Sequence, residues 1–96
     1  MNKYEAMFIV KPDLSEEEAK ALYTSIKDAV TKNGGAVVSA EIWSERRRLA
    51  FTIKKQQEGV YYLMKFSAPS EAITKLKYTY GLNEFILRVL ITRLES

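Results

Sequence analysis

Three adjacent arginines, Arg46, Arg47 and Arg48, lead into an alternating segment that ends on Lys54 and Lys55, placing five cations within ten residues. A guanidinium group offers two parallel charge-assisted hydrogen bonds to phosphate or carboxylate oxygens, so the chemistry of this run is anion recognition. In a strand, successive side chains point to opposite faces, and Arg46 and Arg48 therefore leave one side while Arg47 leaves the other. One side of a strand is normally core. The triplet accordingly belongs on an edge or bent strand, where both faces reach water or a polyanion. The same charges would also keep an exposed edge from pairing with a second copy.

Other chemistries find little support. With no cysteine and no histidine, the chain has neither disulfides nor the usual ligands for zinc, copper or haem. Its serines have no histidine to act as base. The glycine cluster Asn33-Gly34-Gly35 follows a helical pattern, where a phosphate cradle would precede one, and it lacks the lysine and hydroxyl of a P-loop; it reads as a helix cap. Glu16, Glu17 and Glu18 are explained by a capping box between Ser15 and Glu18 and by the helix dipole. The remaining carboxylates, Glu5, Glu41, Glu45, Glu58 and Glu84, show no metal-loop spacing. The expectation is a protein that is not an enzyme, with no cofactor and no small-molecule substrate. A net charge of +3 is compatible with nucleic acid without deciding for it.

The elements that must position these residues follow from periodicity. Lys3 to Val10 alternates Tyr4, Ala6, Phe8 and Val10 against Lys3, Glu5, Met7 and Ile9, a strand. From Glu16 to about Lys32 the apolar residues Ala19, Leu22, Tyr23, Ile26, Ala29 and Val30 recur at helical spacing. Ala36 to Ile53 is a long extended stretch, bent near Ser44 to Arg47. After a polar loop, Lys54 to Gly59, it pairs with Val60 to Ser67 as a hairpin. Pro69 marks a second helix start, with Ala72, Ile73, Leu76 and Tyr80 as its buried stripe. Phe85 to Arg93 is the last strand, with Phe85, Leu87, Val89 and Ile91 on one face and Ile86, Arg88, Leu90 and Thr92 on the other. Phe8, Tyr23, Phe51, Tyr62, Phe66, Tyr80 and Phe85 fall on core stripes, whereas Tyr61 falls on the opposite sheet face, where it could stack on a base.

Strand, helix, strand, strand, helix, strand gives an α+β fold, the ferredoxin-like βαββαβ arrangement: a four-stranded antiparallel sheet with two helices on one face. Ninety-six residues close one core, so residues 1–96 are read as a single domain. No apolar run has the length of a membrane span, and the N-terminus lacks a secretory pattern, so a soluble cytoplasmic protein is expected.

The chain resembles the family of protein six of the bacterial small ribosomal subunit almost end to end. The marks are Tyr4-Glu5 with Ile9-Val10-Lys11-Pro12, Gly35, the block Arg47-Arg48-Leu49-Ala50-Phe51 with Ile53, Gly59 with Tyr61, and Asn83-Glu84 with Ile86 and Arg88. It departs from the family pattern around the arginines: Trp43 stands one place early, Glu45 takes the place of a glycine, and Phe51-Thr52 replaces Tyr-Pro. The resemblance implies a structural ribosomal protein that binds small-subunit rRNA in the central domain, paired with ribosomal protein eighteen. The alternative is a ferredoxin-like interaction or regulatory module without RNA binding. On the ribosomal reading, Lys3, Tyr4, Arg88 and Arg93 form an RNA-facing patch on adjacent strands, joined by Lys54 and Lys55. The edge strand Val37 to Arg48 takes the protein partner through Glu41, Trp43, Arg46, Arg47 and Arg48.

Overall fold

Alternation in the first strand sets the layering of the computed structural model, which describes residues 1–94. Tyr4, Ala6, Phe8 and Val10 of β1 (Asn2–Val10) are buried, while Lys3, Glu5, Met7 and Ile9 face outward. α1 (Glu16–Lys32) starts with the expected capping box: the Glu18 amide donates to Ser15 Oγ and the Ser15 amide donates to Glu18 Oε1, both at 3.1 Å. It stops where Gly34 adopts φ +81° and the Gly35 amide bonds back to the Val30 carbonyl, a Schellman closure. β2 (Ala36–Ile53), β3 (Gln56–Ala68), α2 (Ala72–Gly81) and β4 (Ile86–Arg93) complete the order. The sheet runs β2-β3-β1-β4 with antiparallel pairing throughout. β1 and β3 are central and the arginine-bearing β2 is an edge, as expected.

One apolar cluster fills the layer between sheet and helices. Leu22, Ile26, Ala29 and Val30 of α1, and Ala72, Leu76 and Tyr80 of α2, meet the buried faces of β1 and β3. Phe8 packs edge-on to Tyr80 at 4.9 Å, and Tyr23 stacks on Tyr62 at 4.3 Å. The Tyr80 hydroxyl donates to the Ile26 carbonyl at 2.7 Å, tying the two helices together. The opposite sheet face carries no helix. No helix among the described residues is long and apolar enough to cross a membrane.

The hairpin differs from expectation. The polar loop is only Lys54-Lys55, and β3 begins at Gln56 instead of Val60. Both lysines have positive φ, 48° and 67°, the signature of a two-residue turn whose twist matches the flanking strands. β2 is the longer arm, and four register shifts against β3 bend it. Between Arg48 and Ile53 five steps along β2 face two along β3. There Phe51, expected in the core, emerges 69 % exposed because the hairpin has run past the body of the sheet. β4 also departs. A bulge opposite Ile9 and Val10 inserts Leu87, which turns Ile86 onto the helix-covered face instead of the open one.

Candidate nucleic-acid and partner interface

The alternation of the arginine triplet survives the bend. Arg47 pairs with Gly59 and lies on the open face, its guanidinium carbon 5.0 Å from the Trp43 ring centre and 5.6 Å from that of Tyr61. The two rings are themselves 5.9 Å apart. Arg46 turns the other way and is held at the surface by two carboxylates of the same chain, with Nε 3.0 Å from Glu58 and Nη2 3.0 Å from Asp13. Hydrogen bonding to Asp13, followed by the charge of Asp13 and the contacts with Glu58, raises the Arg46 pKa further. These are the only ion pairs among the described residues. They link β2 to β3 and to the β1–α1 connection. Arg48 lies opposite Glu58 and is exposed. Glu41 stands exposed on β2 opposite Leu63.

Gly59 permits the hairpin to curl. A Cβ there would lie 2.5 Å from Ile9 Cγ2 and 3.6 Å from Leu49 Cδ2. Because glycine leaves that space free, Leu49 is buried beside Ile9, outside the main core. Beyond it, Lys54 Nζ donates to the Ile86 carbonyl at 3.0 Å, bringing the hairpin tip to the start of β4. Lys55 remains exposed beside it.

The residues expected to form one RNA-facing patch separate into two places. Arg93 pairs with Tyr4 at one end of the sheet, and its Nη2 donates to Asn2 Oδ1 at 3.0 Å. Tyr4 is 6 % exposed and stacked on Phe66; its hydroxyl accepts from Asn2 Nδ2 at 3.4 Å. Lys3 is at the same end but points to the open face. Arg88 lies opposite Ile9, six residues along β1 from Lys3 or about 20 Å at strand rise. Arg88 therefore stands with the Lys54-Lys55 tip, which reaches the same end of β4, and not with Lys3, Tyr4 and Arg93.

The open face between these points is partly apolar. Glu41, Leu63, Met7 and Leu90 form one row across the four strands, and Ser44, Tyr61, Ile9 and Arg88 form the next. Sequence reasoning placed Tyr61 here but did not find the Trp43–Arg47–Tyr61 cluster. The cluster depends on the bulge at Trp43, and alternation alone does not reveal a bulge. No group of metal-ligating side chains forms among the described residues.

Comparison with known proteins gives one consistent answer. The sequence profile described as Ribosomal protein S6 matches residues 3–93. The small ribosomal subunit protein bS6 of Thermoanaerobacter pseudethanolicus is 40 % identical over 96 residues, covering all of both chains. The protein of that name from Nitratiruptor is 38 % identical, covering all of this chain and 74 % of the relative. Among solved structures, the 30S ribosomal protein S6 of Thermotoga maritima superposes with a TM-score of 0.87 at 29 % identity, over 97 % of this chain and 87 % of that one.

Proposed function

This chain belongs to the ribosomal protein S6 family, and from that premise we propose that it binds small-subunit ribosomal RNA together with ribosomal protein eighteen. It is a protein of the small ribosomal subunit, and its relatives carry the names of ribosomal proteins, not of enzymes. One observation carries the RNA reading furthest. Arg88 is exposed on an apolar sheet face, across from Ile9 and two residues from Leu90, with no ion pair among the described residues. A guanidinium held there meets a phosphate without first breaking an internal pair. Lys54 and Lys55 add charge at the same end, and Lys3 and Arg93 supply a second contact region at the other. The exposed outer edge of β2, with Val38, Glu41 and Ile42, is the surface for the protein partner, because its unpaired backbone can take an added strand.

The test is the salt dependence of binding to a central-domain rRNA fragment carrying protein eighteen. Arg88→Ala is expected to weaken binding and to lower the salt slope by about one unit while leaving folding intact. An unchanged slope and affinity would return Arg88 to plain surface charge. A folded wild-type chain that fails to bind the fragment at any salt concentration would favour the interaction-module alternative.

A further inference from the structure

We propose that the Trp43–Arg47–Tyr61 cluster is a binding site for an unpaired nucleotide of the RNA, with the phosphate on the Arg47 guanidinium and the base on the exposed face of Trp43. The inference rests on the RNA-binding reading above and adds a second contact on the opposite rim of the sheet.

The argument begins with what stacking leaves free. With its guanidinium carbon 5.0 Å from one ring centre and 5.6 Å from another, Arg47 is held against two aromatic side chains. Cation–π contact uses the faces of the rings, and the guanidinium N–H donors make no hydrogen bond or ion pair among the described residues. Its neighbour Arg46 is consumed internally by Asp13 and Glu58, so the contrast lies within one triplet. Arg47 is thus a fixed cation with its donors unspent. Little side-chain freedom remains to be lost when an oxyanion arrives.

The indole supplies the second half. Trp43 is 52 % exposed although it touches Arg47 and Tyr61, so part of its surface is open for a flat partner. A nucleotide offers both complements, an anion for the guanidinium and a planar base for the indole, as in single-strand binders that pair cationic grooves with aromatic platforms. An acidic peptide would satisfy only the first. The local charge also favours a polyanion: Arg47 stands on this rim of the open face, and Arg88 closes the row Ser44, Tyr61, Ile9 at the far rim. Three strand spacings, about 14 Å, separate the rims. A single strand lying across the open face would meet a guanidinium at each side.

Trp43 is the only tryptophan, so its fluorescence reports on this site alone. The full chain is titrated with a short single-stranded oligoribonucleotide of mixed sequence and, separately, with the rRNA fragment used above. Base stacking is expected to quench Trp43 in both titrations. By calorimetry, Trp43→Ala and Arg47→Ala should each weaken oligonucleotide binding by about 5- to 100-fold. Trp43→Phe, which keeps a stacking face, should stay within a few-fold of wild type. Quenching by the oligonucleotide that disappears in Arg47→Ala supports the site even if Arg88→Ala leaves rRNA affinity untouched. Binding of the rRNA fragment with unquenched Trp43 and unaltered affinity in both alanine variants overturns the site and leaves the RNA reading standing. Quenching by isolated protein eighteen and by no RNA also overturns it, and assigns the cluster to the polypeptide partner.

Discussion

Two glycines show how differently one residue type acts at single positions. Gly35 enters β2 where a Cβ would stand 2.5 Å from the Ser67 carbonyl oxygen and 2.8 Å from Val30 Cγ1. The carbonyl belongs to a central strand and cannot move aside. Gly35→Ala is therefore expected to lower stability by about 2–3 kcal/mol through overpacking. Gly81, the last residue of α2, has no positive φ, and a Cβ there would meet nothing within 4 Å. Gly81→Ala should be neutral or stabilising by about 0.5 kcal/mol, because alanine restricts the unfolded chain without meeting a neighbour. Urea denaturation of the two variants checks the contrast, and equal destabilisation would refute it. The arginine triplet carries the same lesson of position. Its alternation was legible in the sequence, but the partner of Arg46 was not, since Asp13 lies 33 residues away in the chain.

At the scale of elements, the sequence revealed what local pattern controls and hid what register controls. The capping box at Ser15, the left-handed stop at Gly34, the stripe Leu22-Ile26-Val30 and the strand order could all be read from spacing. The bulges could not, because one extra residue reverses the facing of everything beyond it. That is why Ile86 falls on the unexpected side, whereas Phe51 is exposed because its part of the hairpin lies beyond the residues that pair with β1. Arg88, grouped with Lys3 on the ribosomal reading, stands apart from it because antiparallel pairing sets it opposite Ile9. The hairpin turn is hidden for another reason. A two-residue turn with both φ values positive normally calls for Asn-Gly, and here it is built from Lys54 and Lys55. Lys54 has a compensating bond to the Ile86 carbonyl, whereas Lys55 makes no side-chain hydrogen bond among the described residues. Lys55→Gly should relieve the left-handed penalty and raise stability by about 0.5–1 kcal/mol after glycine's own entropy cost. The melting temperature should rise by a few degrees, roughly as expected for a domain of this size. If Lys55 also touches phosphate, the same variant will bind rRNA with a smaller salt slope. A lower melting temperature would instead show that the ammonium makes a contact in solution that this turn geometry does not contain.

For the whole molecule, the core and the proposed RNA-binding surface occupy opposite faces of one sheet, so they are expected to respond to different variables. On the proposed function salt acts through Arg47 and Arg88 on the open face, and alkaline pH acts on the tyrosines between sheet and helices. Burial, reinforced by neighbouring Tyr62, pushes the Tyr80 hydroxyl well above its ordinary range. Burial also raises Tyr62 and Tyr23, helped by Tyr23 and Glu45 respectively. Tyrosines in the unfolded chain lose their protons near pH 10, while these three keep theirs to higher pH in the folded protein. Above about pH 10 the unfolded state therefore binds fewer protons than the native state, and stability falls as pH rises. Below that point these groups contribute no pH dependence. Urea midpoints measured from neutral to strongly alkaline pH should be level with respect to tyrosine and then decline. Tyr80→Phe isolates the largest contribution. It removes the hydroxyl's bond to the Ile26 carbonyl, which keeps its place in the α1 ladder, and should cost about 0.5–1.5 kcal/mol at neutral pH, yet its alkaline decline should be shallower than that of the wild type. Every other group is common to the two proteins, so the difference between the two curves belongs to Tyr80. Parallel curves, offset but equally steep, would mean that the Tyr80 hydroxyl ionises as readily in the folded chain as in the unfolded one.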